Sequence, residues 1–178
     1  MTELESFLDE HIRVIVDWPT AGVHFRDINP LLAHPLGIGN VVDGMNAALL
    51  AAALDDFDVV AGIEARGFML GAALAAARGI GFIPVRKQGK LPGQVHAVTY
   101  DLEYGTATLE LQIDAVRPGQ RVLLVDDVLA TGGTAGAASA LLTTAGGNVV
   151  ALMALLEISV LGGRSRLMDL PVLALRAV

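Results

Sequence analysis

The stretch RVLLVDDVLATGGTAGAA, from Arg121 to Ala138, decides the fold. It opens with a continuous apolar run (Val122 to Val125), passes through an acidic pair (Asp126, Asp127), and closes in a small-residue turn (Ala130 to Thr134) that enters an alanine-rich helix. A β-branched apolar run of this length, bounded by turn residues, suits a parallel strand buried on both faces. In open α/β sheets the carboxyl end of such a strand is where ligands sit. Within Ala130-Thr131-Gly132-Gly133-Thr134, two glycines let the backbone come close to a ligand and two threonines add hydroxyl donors. The helix that follows aims its unpaired N–H groups and positive dipole end at the same spot, which makes an anion cradle sized for one phosphate. No lysine follows the glycines and there is no GxGxxG, so neither a nucleoside triphosphate nor a dinucleotide is implied.

The two aspartates restrict the ligand further. Carboxylates this close to a phosphate would repel it, so they face another part of the ligand, either accepting hydrogen bonds from hydroxyls or holding a metal through water. A sugar with hydroxyls at one end and a phosphate at the other meets both demands.

The rest of the chain is compatible with this reading. Its 178 residues suit a single domain with a sizeable core. With 53% hydrophobic but only 4% aromatic residues, that core is aliphatic and alanine-packed. A mean hydropathy of +0.58 leaves apolar surface for a second subunit. Charged residues, Gly or Pro interrupt every apolar stretch before about 18 residues, the length needed to span a membrane. The start, MTELESFLDEH, is acidic and lacks a secretory apolar region, so a cytoplasmic location is expected. There is no cysteine for a disulfide, a thiol nucleophile or a thiolate metal site. A net charge of −7 argues against nucleic acid as a partner. An anionic substrate then needs a local basic cluster, and Arg86-Lys87-Gln88-Gly89-Lys90 supplies one with both lysines of the chain.

In chain order, Thr2-x-x-Glu5 reads as a capping box. Leu4, Phe7, Leu8, Ile12 and Ile15 follow at helical spacing, which predicts an amphipathic first helix. Val23 to Pro30 reads as an irregular charged segment carrying Phe25, on which a planar base can stack. A helix is expected from about Pro35 to Leu54. A second strand-turn-helix follows: Phe57 to Ile63, then Glu64-Ala65-Arg66-Gly67, then Phe68 to Arg78. Arg66, at the tip of that turn, suits a diphosphate. A short strand, Gly81 to Val85, leads through the basic cluster into the Gly- and Pro-containing loop Lys90 to Gln94, read as a mobile lid. Strand-like segments Val95 to Thr99 and Thr106 to Ile113 form a hairpin over the site, with Glu103 and Tyr104 near the ligand. After the quoted stretch come a strand from Asn148 to Ile158, a loop from Gly162 to Leu167, and a last strand from Val172 to Leu175.

VLLVDDVLATGGT resembles the phosphoribosyl-diphosphate (PRPP) motif of the type I phosphoribosyltransferases. Four further segments resemble the adenine phosphoribosyltransferase family in order and spacing: WPTAGVHFRDINPLL, GIEARGF, FIPVRKQGKLPG with YDLEYGTATLEL, and LGGRSRL. The resemblance implies an α/β fold, a mostly parallel central sheet flanked by helices with a small hood and a flexible lid hairpin. Residues 1–178 would form one phosphoribosyltransferase domain, with residues 1–34 as N-terminal helix and base-binding hood and residues 87–105 as lid. It implies transfer of the 5-phosphoribosyl group from PRPP to adenine, giving AMP and diphosphate, with Mg²⁺ bound mainly through PRPP, in a homodimer.

Carried over by residue, Glu103, Arg66 and Lys87 are the catalytic candidates, Glu103 as a base. Asp126, Asp127, Ala130, Thr131, Gly132, Gly133, Thr134, Arg86 and Tyr104 would bind PRPP or AMP, with Arg86 reaching in from a neighbouring subunit. His24, Phe25 and Arg26 would bind adenine, and the Glu64–Ala65 peptide would be cis. Two other readings stand beside this one: transfer to hypoxanthine, guanine or xanthine, and a non-catalytic PRPP-binding regulator.

Overall fold

The computed structural model describes residues 2–101 and 105–178. In chain order it contains α1 (Glu3–His11), β1 (Arg13–Val16), β2 (His24–Asp27), α2 (Asn29–Ala33), α3 (Gly37–Ala51), β3 (Val59–Ile63), α4 (Arg66–Arg78), β4 (Gly81–Lys87), β5 (Val95–Asp101), β6 (Thr106–Gln112), β7 (Arg121–Leu129), α5 (Gly133–Thr144), β8 (Asn148–Glu157), a 3-10 turn (Ser159–Leu161), α6 (Gly163–Arg166) and β9 (Val172–Ala177).

Seven strands form one sheet in the order β5-β6-β4-β3-β7-β8-β9. The β4-β3-β7-β8-β9 portion is parallel, and β6 and β5 are antiparallel additions at one edge. The apolar run of β7 is buried on both faces, as its composition requires: Val122 and Leu124 join the core around α5, while Leu123 and Val125 join the core around α3 and α4. β8 divides likewise, with Leu152 and Ala154 on one side and Met153 and Leu155 on the other. Because α4 and α5 cover opposite faces, β3 and β7 flank a switch in the winding direction, the position where open α/β sheets bind ligands.

The register shows how the crevice opens. β3 pairs with β7 from Val59↔Val122 to Gly62↔Val125 and no further, whereas β7 continues along β8 as far as Leu129↔Glu157. The apolar run therefore does not end the strand, as its composition suggests. Asp126 and Asp127 are themselves strand residues, placed where β3 has turned away.

Three local expectations are corrected. The capping box forms with both arms, but α1 stops at His11 and Ile15 lies in β1. The β-branched run Val14-Ile15-Val16 prefers an extended chain, and helical spacing over so few residues did not outweigh it. The segment around Phe25 is not irregular: β2 pairs antiparallel with β1, Ile15 facing Phe25, and Asp27 forms a salt bridge with Arg13. The segment Gly162 to Leu167 contains the helical turn α6 rather than a plain loop.

Candidate active site

The end of β7, the turn after it and the start of α5 form the floor of a cleft of about 800 Å³. Gly132 has φ +81°, a left-handed conformation that side chains rarely adopt. A Cβ there would lie 2.6 Å from the carbonyl oxygen of Gly163, and a Cβ on Gly163 would run into the carbonyl of Ala130. The two glycines thus let α6 support the turn from beneath, which gives the LGGRSRL segment a structural reason. Ala130, Thr131, Gly133 and Thr134 line the cleft, with Gly132 as the hinge of their turn.

Asp126 and Asp127 also line the cleft. The Asp127 amide donates to Asp126 Oδ1 at 2.9 Å, and Asp127 Oδ2 lies 2.7 Å from Arg66 Nε. That second contact is ionic without hydrogen-bond alignment, so Oδ2 is a buried oxygen still lacking a hydrogen bond. Burial pushes Asp126 well above the usual carboxylate range, and the neighbouring Asp127 adds to the effect. Burial also raises Asp127, against the pull of the Arg66 guanidinium. The pair is therefore kept short of compensating positive charge, a condition that a hydroxyl-rich or cation-bearing ligand relieves.

Arg66 reaches both ends of this arrangement. It opens α4, contacts Asp127, and places its guanidinium carbon 5.3 Å from the centroid of the Phe25 ring. Phe25 meets Trp18 edge-on, with centroids 4.4 Å apart, and lines the cleft together with His24 and Arg26. The Glu64–Ala65 peptide before Arg66 is cis, as the resemblance implies.

Glu64 collects the basic cluster. Its side chain is only 9% exposed and accepts from Lys90 Nζ at 2.7 Å, from the Lys87 amide at 3.0 Å and from Arg86 Nε at 3.4 Å. Burial alone would raise Glu64, but these donors outweigh it and hold the carboxyl down from its ordinary 4.5 to about 2. A folded-state value below the unfolded one contributes stability that is complete above pH 4.5 and is lost as pH falls toward 2. Glu64→Gln is therefore expected to lower unfolding free energy by about 2 kcal/mol at pH 7. In urea titrations at stepped pH the gap from wild type should narrow below about 4.5; a gap constant with pH would mean that the charge contributes nothing.

Of the basic cluster, Lys87 lines the cleft, whereas Arg86 does not: it faces Glu64 and donates to the Lys90 carbonyl at 2.9 Å. Glu103 and Tyr104 lie outside the described residues. Cleft residues that the sequence did not single out include Tyr100 and Asp101 from β5, Val128 from β7, and Ile158 and Leu161 after β8. Tyr100 belonged to the quoted YDLEYGTATLEL segment, and only the structure shows that it reaches Thr134, whose hydroxyl donates to the phenol at 3.3 Å. A second cavity of about 240 Å³ lies behind β2, lined in part by Asp9, Arg26 and Arg176; it holds no part of the cradle or acidic pair.

The phosphoribosyl transferase domain family matches residues 37–168. The adenine phosphoribosyltransferase of Thermobifida fusca is 50% identical over 177 residues, covering 99% of each chain. That of Kineococcus radiotolerans is 56% identical, covering 92% of this chain and 86% of the relative. The crystal structure of adenine phosphoribosyltransferase from Thermoanaerobacter pseudethanolicus superposes with a TM-score of 0.93 at 42% identity, covering 97% and 99% of the two chains. The Saccharomyces cerevisiae enzyme, complexed with an imino-altritol bisphosphate and adenine, also gives a TM-score of 0.93, at 36% identity and covering 98% and 99%. Sequence relationship across the whole length and a shared winding of the sheet converge, and the chain belongs to the adenine phosphoribosyltransferases.

Proposed function

We propose that this protein transfers the 5-phosphoribosyl group of PRPP to adenine, releasing diphosphate and forming AMP. The observation that carries the reading is the convergence on one cleft of an anion cradle, a carboxylate pair and an aromatic shelf. In this assignment the amides of the 130–134 turn and the hydroxyls of Thr131 and Thr134 hold the 5′-phosphate. Asp126 and Asp127 accept from the ribose hydroxyls. Adenine lies against Phe25.

Among the described residues, β2 is paired along one edge only, with β1, which leaves alternate backbone groups of residues 24–27 available to the base. A carbonyl at that edge accepts from a 6-amino group and repels a 6-oxo group, the physical basis for choosing adenine over hypoxanthine.

Substitution at the anomeric carbon passes through a transition state with oxocarbenium character, so the protein has to neutralise the departing diphosphate and keep water from the sugar. Lys87 and Arg66 serve the first need. Glu103, assigned from the sequence, takes the proton that adenine loses. For Mg²⁺ the donor set fits an ion that arrives on its substrate: two carboxylates, one with an oxygen that accepts no hydrogen bond, and among the described residues no cluster of three His, Asp or Glu able to hold a metal alone. Asp126 and Asp127 would hold it, through water or the ribose hydroxyls, and when bound it supplies charge neutralisation at the diphosphate. A homodimer in the cytoplasm completes the proposal; no described helix is long and apolar enough to cross a membrane.

Incubation with Mg-PRPP and a panel of adenine, hypoxanthine, guanine and xanthine tests the function. AMP alone is expected; nucleotide from a 6-oxo purine would move the assignment to another base, and PRPP binding without any nucleotide would make the protein a PRPP sensor. If Lys87 supports the leaving group, Lys87→Ala should lower kcat about 30-fold at saturating PRPP, less than the loss of a buried electrostatic stabiliser because Lys87 is exposed. Wild-type rates would reduce Lys87 to a solvated side chain.

A further inference from the structure

We propose that Tyr100 is an additional residue of the phosphate subsite, whose hydroxyl orients that of Thr134 and so makes the cleft favour a phosphorylated ligand over its unphosphorylated form. The proposal rests on residues 130–134 being the 5′-phosphate cradle. β5 presses directly on that cradle: a Cβ on Gly133 would meet the Asp101 carbonyl oxygen at 3.3 Å and the Tyr100 ring at 3.7 Å. Thr134 donates its hydroxyl hydrogen to Tyr100 Oη at 3.3 Å, and both side chains line the cleft. Of the two β5 groups against the cradle, the Asp101 carbonyl only accepts and would repel a phosphate oxygen. The phenol is the one that can answer a phosphate.

The hydrogen count explains how. A threonine hydroxyl and a phenol each carry one proton and each can also accept, whereas a phosphate oxygen only accepts. In the structure Thr134 directs its proton to Tyr100. A phosphate in the cradle takes that proton, and the phenol turns its own toward Thr134 Oγ1, so the Tyr100–Thr134 bond survives with its direction reversed. The resulting chain runs from phenol to threonine to phosphate, each bond polarising the next, with a charged group at its end. A side chain that could only accept would lose the bond once phosphate takes the threonine proton. Phenylalanine loses it in both states.

The experiment is calorimetric titration of wild type, Tyr100→Phe, Thr134→Val and the double variant with AMP and with adenosine. Tyr100→Phe is expected to bind AMP about tenfold more weakly and adenosine within about twofold of wild type. The double variant should be no more than about twofold weaker than Thr134→Val, because the two substitutions break one chain. AMP affinity unchanged in Tyr100→Phe, equal losses for AMP and adenosine, or additive losses would each overturn the proposal.

A readout in the unmutated protein covers the case of a variant that does not fold. The chain has two tyrosines, so ¹³Cζ labelling gives two phenol signals, assigned with Tyr104→Phe. The Tyr100 signal should move with AMP and with inorganic phosphate but not with adenosine, and a signal indifferent to phosphate would overturn the proposal. If wild type binds AMP no more tightly than adenosine, the cradle assignment itself fails; if that preference persists undiminished in Tyr100→Phe, only the role of Tyr100 fails.

Discussion

Gly132→Ala is expected to weaken AMP and PRPP binding by at least about 100-fold, with far-ultraviolet circular dichroism unchanged. Two costs fall on the same atom. An alanine at φ +81° sits in the left-handed region, and its Cβ would lie 2.6 Å from the backbone oxygen of Gly163, which cannot rotate aside as a side-chain tip can. Together they amount to about 3 kcal/mol, enough for a change of that size if the turn relaxes by moving its amides off the phosphate. Gly136, one helical turn further along α5, provides the control. A Cβ there meets only Leu167 at 3.5 Å, an ordinary contact, so Gly136→Ala should leave AMP affinity within about twofold of wild type. Titration of both variants with AMP decides the matter: equal affinities for Gly132→Ala and wild type would mean that the phosphate lies elsewhere.

What the sequence made legible follows from how local each signal is. The β7–turn–α5 unit could be read because burial on both faces demands an unbroken apolar run, and because the anion cradle is built from consecutive residues. The capping box of α1 was legible for the same reason, whereas its end was not. Ile12 and Ile15 keep helical spacing, and the strand state of Ile15 depends on a partner, β2, that lies beyond a loop.

Glu64 shows the larger limit. Its donors all come from residues 86–90, which the β3–β4 register delivers by setting Ile63 beside Val85. Nothing in GIEARGF announces that. Likewise Asp126 and Asp127 were recognisable as a pair facing a ligand, but their position inside a strand depends on where β3 departs from β7, a property of the sheet. The contact between Arg66 and Asp127 joins two motifs that were read separately, one for diphosphate and one for sugar.

That contact carries the other large prediction. Arg66→Gln is expected to lower kcat/KM about 1000-fold, at the upper end for removing one preorganised cation from a catalytic cleft. Arg66 is assigned to the departing diphosphate, it faces the Phe25 ring, and it is the cation that offsets the burial of Asp127. With the guanidinium gone, burial is opposed only by the hydrogen bonds from Asp126 and from the backbone of Asp127 and Val128, so Asp127 shifts further toward its protonated form. Because a protonated acid is a poorer acceptor for a ribose hydroxyl, the acid limb of the kcat/KM profile should move to higher pH in Arg66→Gln, and raising the pH should recover part of the lost rate.

Arg66→Lys separates the two functions. A point charge restores attraction for the diphosphate and for Asp127 but not the planar face against Phe25. It should return the acid limb toward wild type while leaving KM for adenine elevated. An Arg66→Gln profile displaced downward with its acid limb unmoved would show that Arg66 acts on the leaving group alone, and the proposed coupling between Arg66 and the carboxylate pair would have to be abandoned.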